Sequence, residues 1–361
     1  QVAEKMGELH DALLAGGYDG HKLEIFLVRL IYCLFADDTG IFPRDHFRFL
    51  MEEKTKADGT DTGALIAQVF QTLDTPPEKR EKALDEDLEK FPYVNGALYE
   101  EILRFPNFDS RMRRTLLECL TFDWSRVSPA IFGSMFQSVM DPGKRRNLGA
   151  HYTSERNILK VVRGLFLDDL YREYEAVKGD LRRLNRFHER IARLRFFDPA
   201  CGCGNFLIIA YRELRRLEIA VLKQMRKLRG RFAETWQTDI SLLSLIDVDA
   251  FYGIELGEFP VRIAEVALWL TDHQMNMELS AEFGQTYTRL PLKKSAHIVQ
   301  GNALRMNWEA LVPKPAAAEK EAALFILGNP PFVGKHNRTD QQTRDMQVLG
   351  AALTGLGVLD Y

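Results

Sequence analysis

Long hydrophobic runs are missing from this 361-residue sequence. No apolar stretch approaches the roughly 20 residues of a membrane span, and nothing resembles a signal peptide. Cysteine is scarce: Cys33 and Cys119 stand alone, and Cys201 and Cys203 form a C-x-C without a second pair. That is neither a disulfide framework nor a zinc pair set, so an intracellular, reduced protein without a metal site is expected. An excess of charge of one sign is also lacking, since the net charge is -3. A wholesale polycation is thereby excluded, but a locally basic groove is not. No internal repeat is present, and residues 1 to about 145 carry no alternating strand pattern. The sequence opens on Gln1 and stops on "GVLDY", which reads as a piece of a longer protein.

The length suggests two domains, and a 46% hydrophobic content is enough for a large core. In "HKLEIFLVRLIYCLFADDTGIFP", Leu23, Phe26, Leu27, Leu30, Ile31, Leu34 and Phe35 recur at helical spacing. Asp37, Asp38, Thr39 and Gly40 mark the end of that helix. "TGALIAQVFQTLD" and "RRTLLECLTF" predict two more helices, separated by charged linkers. Residues 1–145 therefore read as an α-helical bundle. The character changes after "DPGKRRNLGAHYTS". Ser154 is placed as the N-cap of an amphipathic helix, and a basic helix follows it. "RFFDPACGCGNF", "AFYGIEL", "AHIVQGNAL" and "ALFILGNPPF" are then four short strands, with helices between the first three and the loop-like "PKPAAAEKEAA" before the last. Strands alternating with helices predict a parallel α/β sheet with helices on both faces.

Each of those strands ends on polar or turn-forming residues. After the first, Gly202 and Gly204 let backbone pass close to a ligand, and Asp198 at the strand end suits a cationic or amine-bearing ligand over a phosphate. Glu255 ends the second strand, where a carboxylate can accept ribose hydroxyls. Asn302 follows the third, and its amide could read an adenine edge. After the fourth comes Asn329-Pro330-Pro331-Phe332. The prolines aim two hydrogen-bond acceptors, the Asn329 amide oxygen and the Pro330 carbonyl, and Phe332 offers a stacking face. Taken singly each feature has a bland alternative: a tight βα turn, a helix-capping carboxylate, a Gly-Asn turn, a stiff strand-to-loop turn. The order and spacing of all four favour a site. Trp269 and His273 read as core residues. Basic clusters at 143–146, 182–186 and 226–231 read as solvated faces, and Lys335, His336 and Arg338 beyond the Asn-Pro-Pro-Phe loop as better candidates for DNA contact.

In this combination the chain resembles the gamma-type, S-adenosylmethionine-dependent DNA adenine-N6 methyltransferases, over residues of about 145 to 361. "DPACGCGNFL" resembles the first cofactor motif of that family, "GIEL" the second, "GNAL" the third and "NPPF" the catalytic motif. "LGAHYTSERN" resembles the element that closes over the methionine end of the cofactor. The helical part, above all "FLVRLIYCLFADDTGIF", is similar to the connector of single-chain restriction-modification enzymes of the MmeI type. Two positions depart from the common pattern: Cys203 stands where Ser or Gly is usual, and Asn302 where Asp is more frequent.

The resemblance implies a Rossmann-like class I methyltransferase sheet at 146–361, incomplete at its C-terminal end, behind an α-helical connector at 1–145. It implies S-adenosylmethionine as cofactor, held by Tyr152, Thr153, Asp198, Pro199, Ala200, Cys201, Gly202, Gly204, Asn205, Phe206, Glu255 and Asn302. It implies catalysis by Asn329, Pro330, Pro331 and Phe332 on an adenine flipped out of double-stranded DNA. The partners implied are DNA, a C-terminal target-recognition domain and an N-terminal nuclease domain of the same chain, in the bacterial cytoplasm. "EEKTK" contains E-x-K but lacks a strand partner, so no nuclease motif is recognised here. Two other readings stay open: a protein glutamine-N5 methyltransferase, because a planar amide presents the same donor geometry, and a cofactor-binding scaffold without activity of its own.

Overall fold

The computed structural model describes residues 2–94, 98–99, 101–128, 130, 153–230, 243–284, 296–313, 323–332 and 338–352. The chain divides into two units; the described residues through 130 belong to the first and those from 153 onward to the second.

The first unit is helical: α1 (Val2–Ala15), α2 (Gly20–Asp38), α3 (His46–Glu53), α4 (Thr62–Asp74), the single turn α5 (Glu86–Glu89) and α6 (Ser110–Cys119). The apolar stripe foreseen on α2 is buried, but so are Val28, Arg29, Tyr32, Cys33 and Ala36 between its members. A helix covered on all sides is the core of its unit rather than a surface element. Arg29 is tolerated there because Nε donates to the Leu98 carbonyl at 2.7 Å and Nη2 to that of Glu101 at 2.8 Å. The Asp37-Asp38 pair does more than end the helix. Asp37 accepts the Phe47 and Arg48 amides at 2.7 and 3.0 Å, and so caps α3 from outside it. Asp38 accepts the Trp124 amide at 2.7 Å.

The second unit runs α7 (Glu155–Val162), a π-turn (Arg163–Leu167), α8 (Asp168–Val177), α9 (Leu181–Ile191), β1 (Arg195–Asp198), α10 (Asn205–Arg229), β2 (Phe251–Glu255), α11 (Glu258–Phe283), β3 (His297–Gln300), the single turn α12 (Trp308–Leu311), β4 (Leu324–Ile326) and α13 (Asp340–Ala352). Ser154 is the N-cap of α7, as expected, but its side chain makes no capping hydrogen bond. The strands pair in parallel in the order β3-β2-β1-β4. The chain therefore moves outward from β1 through β2 to β3, then crosses back to the other side of β1. That reversal puts a topological switch point between the carboxyl ends of β1 and β4.

Register aligns three phenylalanines on one sheet face, since Phe196 lies opposite both Phe251 and Phe325. The rings of Phe196 and Phe251 stack at 4.8 Å, and Phe166 from the π-turn packs on Phe196 at 4.9 Å. Tyr211 of α10 meets Phe251 edge-on. On the opposite face Phe197, Tyr252 and Ile254 pack with Val312 and Leu311, and Trp308 of α12 meets Phe197 edge-on. Helices thus cover both faces, as the alternating pattern predicted.

A buried polar network joins α9, α10 and α11. Arg215 has no exposed surface and donates to Tyr211, Asp272 and Asn276 at 2.9, 3.1 and 2.9 Å. Its Nε also lies 3.1 Å from Glu218 as an ion pair. Glu218, also fully buried, is paired with His188 at 2.9 Å and accepts from Ser244 Oγ and from the Leu245 and Ile246 amides. Burial pushes the Glu218 carboxyl up, but the His188 hydrogen bond, the charge of Arg215 and the backbone donors outweigh it and hold the group below its ordinary value. Removing one partner of such a pair leaves the other buried and uncompensated. Glu218→Ala is expected to lower the unfolding free energy of this unit by about 3 to 5 kcal/mol, read by denaturant melts near neutral pH. The difference should shrink as the pH falls through the depressed pKa of Glu218, because the carboxylate's contribution is present above its unfolded pKa and lost below its folded one.

Candidate functional site at the strand ends

Parallel pairing brings the four strand ends to one edge of the sheet. After β1 the chain turns through Pro199–Gly204 into α10, with the Gly204 amide bonded to the Cys201 carbonyl at 2.8 Å. Gly204 sits at φ +81, and a Cβ there would lie 3.0 Å from Ala264 of α11. A side chain at this position would be strained and would press on that helix. Gly202 is also left-handed, but an added Cβ would meet nothing within 4 Å among the described residues. Among those residues the space over this turn is open.

Glu255, half-buried at the end of β2, spans two elements. Its Oε2 accepts the Gly202 amide and its Oε1 the Gly257 amide, both at 3.0 Å. The carboxylate therefore holds the glycine turn against the start of α11, using one lone pair on each oxygen. Leu256 beside it is 54% exposed, an apolar surface at the crevice that the sequence reading passed over.

Asp198 is 1% exposed. Its Oδ1 accepts the Ala200 amide at 3.0 Å, and its carboxylate lies beneath Gly328, where a Cβ would come within 2.4 Å of Oδ1. Gly328 has φ +155 and directly precedes Asn329, so the backbone of the fourth strand end rests on the carboxylate of the first. Burial raises the Asp198 carboxyl to about 7; the Ala200 hydrogen bond opposes this, and the charge of Glu255 adds to it.

In the loop after β4, Asn329 and Pro330 are exposed, Pro331 is half-buried and Phe332 is 63% exposed. Asn329 Nδ2 donates to Thr153 Oγ1 at 3.0 Å across 176 positions of sequence. Two elements far apart in the chain thus meet at the switch point. Thr153 stands just before α7, which is tied down by the Glu155–Arg212 ion pair at 2.7 Å. Arg212 carried no signal in the sequence, because one more arginine on a basic helix looks like a solvated one.

Of the other expected residues, Cys201 and Phe206 are buried and Asn205 is half-buried, with its Oδ1 enclosed and without a partner among the described residues. Burial pushes the thiols of both Cys201 and Cys203 up, Cys203 to about 12. Asn302 has its amide engaged at both ends: Nδ2 donates to Asp345 of α13 and Oδ1 accepts the Leu304 amide, each at 2.9 Å. Here that side chain holds α13 to the third strand end. Asp345 is 6% exposed and also pairs with Arg305. Trp269 and His273 are buried and stacked, as expected of core residues. Arg338 is half-buried, and Arg182, Arg183 and Arg186 are exposed on α9. Tyr152, Lys335, His336 and the cluster at 143–146 lie outside the described residues.

A parallel sheet with a glycine turn, a bridging carboxylate and an Asn-Pro-Pro-Phe loop around its switch point is a Rossmann-like, class I methyltransferase sheet. Residues 174–361 match the family described as MmeI, DNA-methyltransferase domain, and residues 21–99 match MmeI, helicase spacer domain. The chain belongs to the MmeI DNA-methyltransferase family. All of it aligns with DNA methyltransferase A of Bacillus subtilis at 35% identity, covering 40% of that protein. A putative type II restriction enzyme and methyltransferase of Methanocaldococcus jannaschii is 24% identical over 70% of the chain and 25% of its own length. Among solved structures, the type IIL restriction-modification enzyme MmeI in complex with DNA superposes with a TM-score of 0.86 at 53% identity, over 99% of this chain and 46% of that one. The chain thus spans less than half the length of these relatives.

Because the Asp198 pKa is raised on folding, its favourable contribution is complete below about pH 4 and is lost as the pH rises through about 7. Asp198→Asn is expected to flatten this part of the profile. Denaturant melts at the two pH values should show a smaller loss of unfolding free energy in the variant than in the parent.

Proposed function

We propose that this chain is the methyl-transfer part of a DNA adenine-N6 methyltransferase that uses S-adenosylmethionine and belongs to a restriction-modification enzyme of the bacterial cytoplasm. Residues 1–145 then serve as the connector and 146–361 as the catalytic domain, and the rest of the enzyme supplies target recognition and a nuclease. The observation that carries the reading is the juxtaposition at the switch point of the glycine turn after β1 with the Asn-Pro-Pro-Phe loop after β4.

The residues around the turn suit the cofactor. S-adenosylmethionine brings a sulfonium-activated methyl group together with an ammonium, a carboxylate, a ribose and an adenine. Asn205 offers a buried acceptor without a partner among the described residues, which suits an ammonium donor. Asp198 is a buried carboxyl with its pKa raised to about 7, so a nearby positive charge favours its ionised form. The open space over Gly202 admits close approach. Glu255 keeps one lone pair on each oxygen for ribose hydroxyls after binding Gly202 and Gly257. Leu256 supplies an apolar face beside it.

On the substrate side, Phe332 presents its ring to solvent, where a flipped base can stack. Asn329 Oδ1 and the Pro330 carbonyl accept the two amine hydrogens, which turns the nitrogen lone pair toward the methyl carbon. Bound here, the cofactor would supply the activated methyl group, and the surplus amine proton would pass to solvent water. No strong base is needed, so positioning supplies much of the rate. One relative is a DNA methyltransferase and another is bound to DNA in its structure, which favours a base amine over a protein glutamine amide as acceptor.

Incubating the full-length protein with methyl-labelled cofactor and either DNA or cell protein tests the acceptor. Label is expected in DNA, on adenine N6; label confined to protein would refute the DNA reading. Asn329→Ala is expected to slow single-turnover transfer by at least about 100-fold while the calorimetric Kd for S-adenosylmethionine stays within about threefold.

A further inference from the structure

An asparagine amide can point either its oxygen or its nitrogen at a substrate, because the two orientations have nearly the same shape. Only one lets Asn329 accept a hydrogen from a target amine; the other sets donor against donor. We propose that Thr153 fixes the position and plane of the Asn329 amide, as a positioning residue that acts through Asn329. This rests on the role given to Asn329 above. Thr153 Oγ1 takes the Asn329 Nδ2–H at 3.0 Å, so the amide oxygen is turned away from Thr153.

Both partners are held from behind. The Ser154 carbonyl accepts the Asn157 and Ile158 amides, which starts α7 directly after Thr153. Glu155 receives Arg212 of α10 at 2.7 Å, with Arg212 only 9% exposed, and Ile158 and Val162 are fully buried. On the other side the Leu327 amide bonds to the Phe197 carbonyl of β1 at 2.9 Å, Gly328 lies on Asp198, and Pro330 removes backbone freedom after Asn329. The Thr153–Asn329 hydrogen bond joins two anchored segments, so it can set an orientation without an ordering cost. A residue that only contacts cofactor would change affinity; one that orients Asn329 changes the transfer step.

The test compares Thr153→Val, which keeps the shape and removes the acceptor, with Thr153→Ser, which keeps the acceptor, in the full-length protein. Single-turnover methyl transfer to DNA and calorimetric binding of S-adenosylmethionine are both measured. Thr153→Val should slow transfer about 10- to 100-fold with cofactor Kd changed less than about threefold, and Thr153→Ser should transfer within about threefold of the parent. In an Asn329→Ala background Thr153→Val should add no further loss. Parental transfer by Thr153→Val, a Kd that weakens in step with the rate, or a serine variant as slow as the valine would overturn the proposal. If Asn329→Ala itself transfers at the parental rate, the role of Asn329 falls and the proposal with it. A slow Asn329→Ala beside a fast Thr153→Val removes the Thr153 proposal alone.

Discussion

A carboxylate with almost no exposed surface ties the ends of the first and fourth strands together. Asp198 closes β1, and the backbone at Gly328, on the way from β4 to Asn329, lies directly on its oxygens. Any side chain at 328 would push the Asn-Pro-Pro-Phe loop off the sheet edge or force the carboxylate to move. The separation of the glycine turn from the loop is therefore set by backbone packed on a side chain. Such a contact is stiff, because interiors are dense and do not deform continuously. The same burial raises the pKa of Asp198 and gives the turn a carboxyl that a nearby cation would ionise.

The other strand ends are held by similar means. Glu255 links the glycine turn to the start of α11 through two backbone amides, and Asn302 links the third strand end to Asp345 on α13. Below this edge the Phe196–Phe251–Phe325 ladder fixes the strands side by side. The Arg215–Glu218–Asp272 network fixes α9, α10 and α11 by hydrogen bonds rather than shape alone. A polar network of this kind tolerates few alternatives, since every displaced partner leaves a buried charge. The turn and loop leave a scaffold held by these contacts, and Asn329 and Phe332 themselves remain open to solvent.

Much of the plan was legible in the chain. Hydrophobic periodicity marked α2, α4 and α6, and short apolar runs ending in turn residues marked all four strands. These signals are local: helix and strand periods differ, and glycine and proline restrict backbone within a few residues. Less legible was the use made of individual polar groups. Asp37 lies at the end of α2 and also caps α3, and the Asn302 amide engages Asp345 and Leu304. The Thr153 hydroxyl receives the Asn329 amide, a contact that no local pattern marks. Arg212, Glu155 and Asp345 went unmarked because exposed and buried charged residues look alike in sequence.

By itself the sequence determined the alternation of strands and helices and the residue types at each strand end, because both follow from the chemistry of neighbouring residues. The tertiary structure alone decided that β4 returns to the far side of β1, that the Asn329 amide meets Thr153, and that Asp198 is buried under Gly328. Those facts depend on pairs of residues more than a hundred positions apart, brought together by strand order and register, and no local pattern encodes such a pairing.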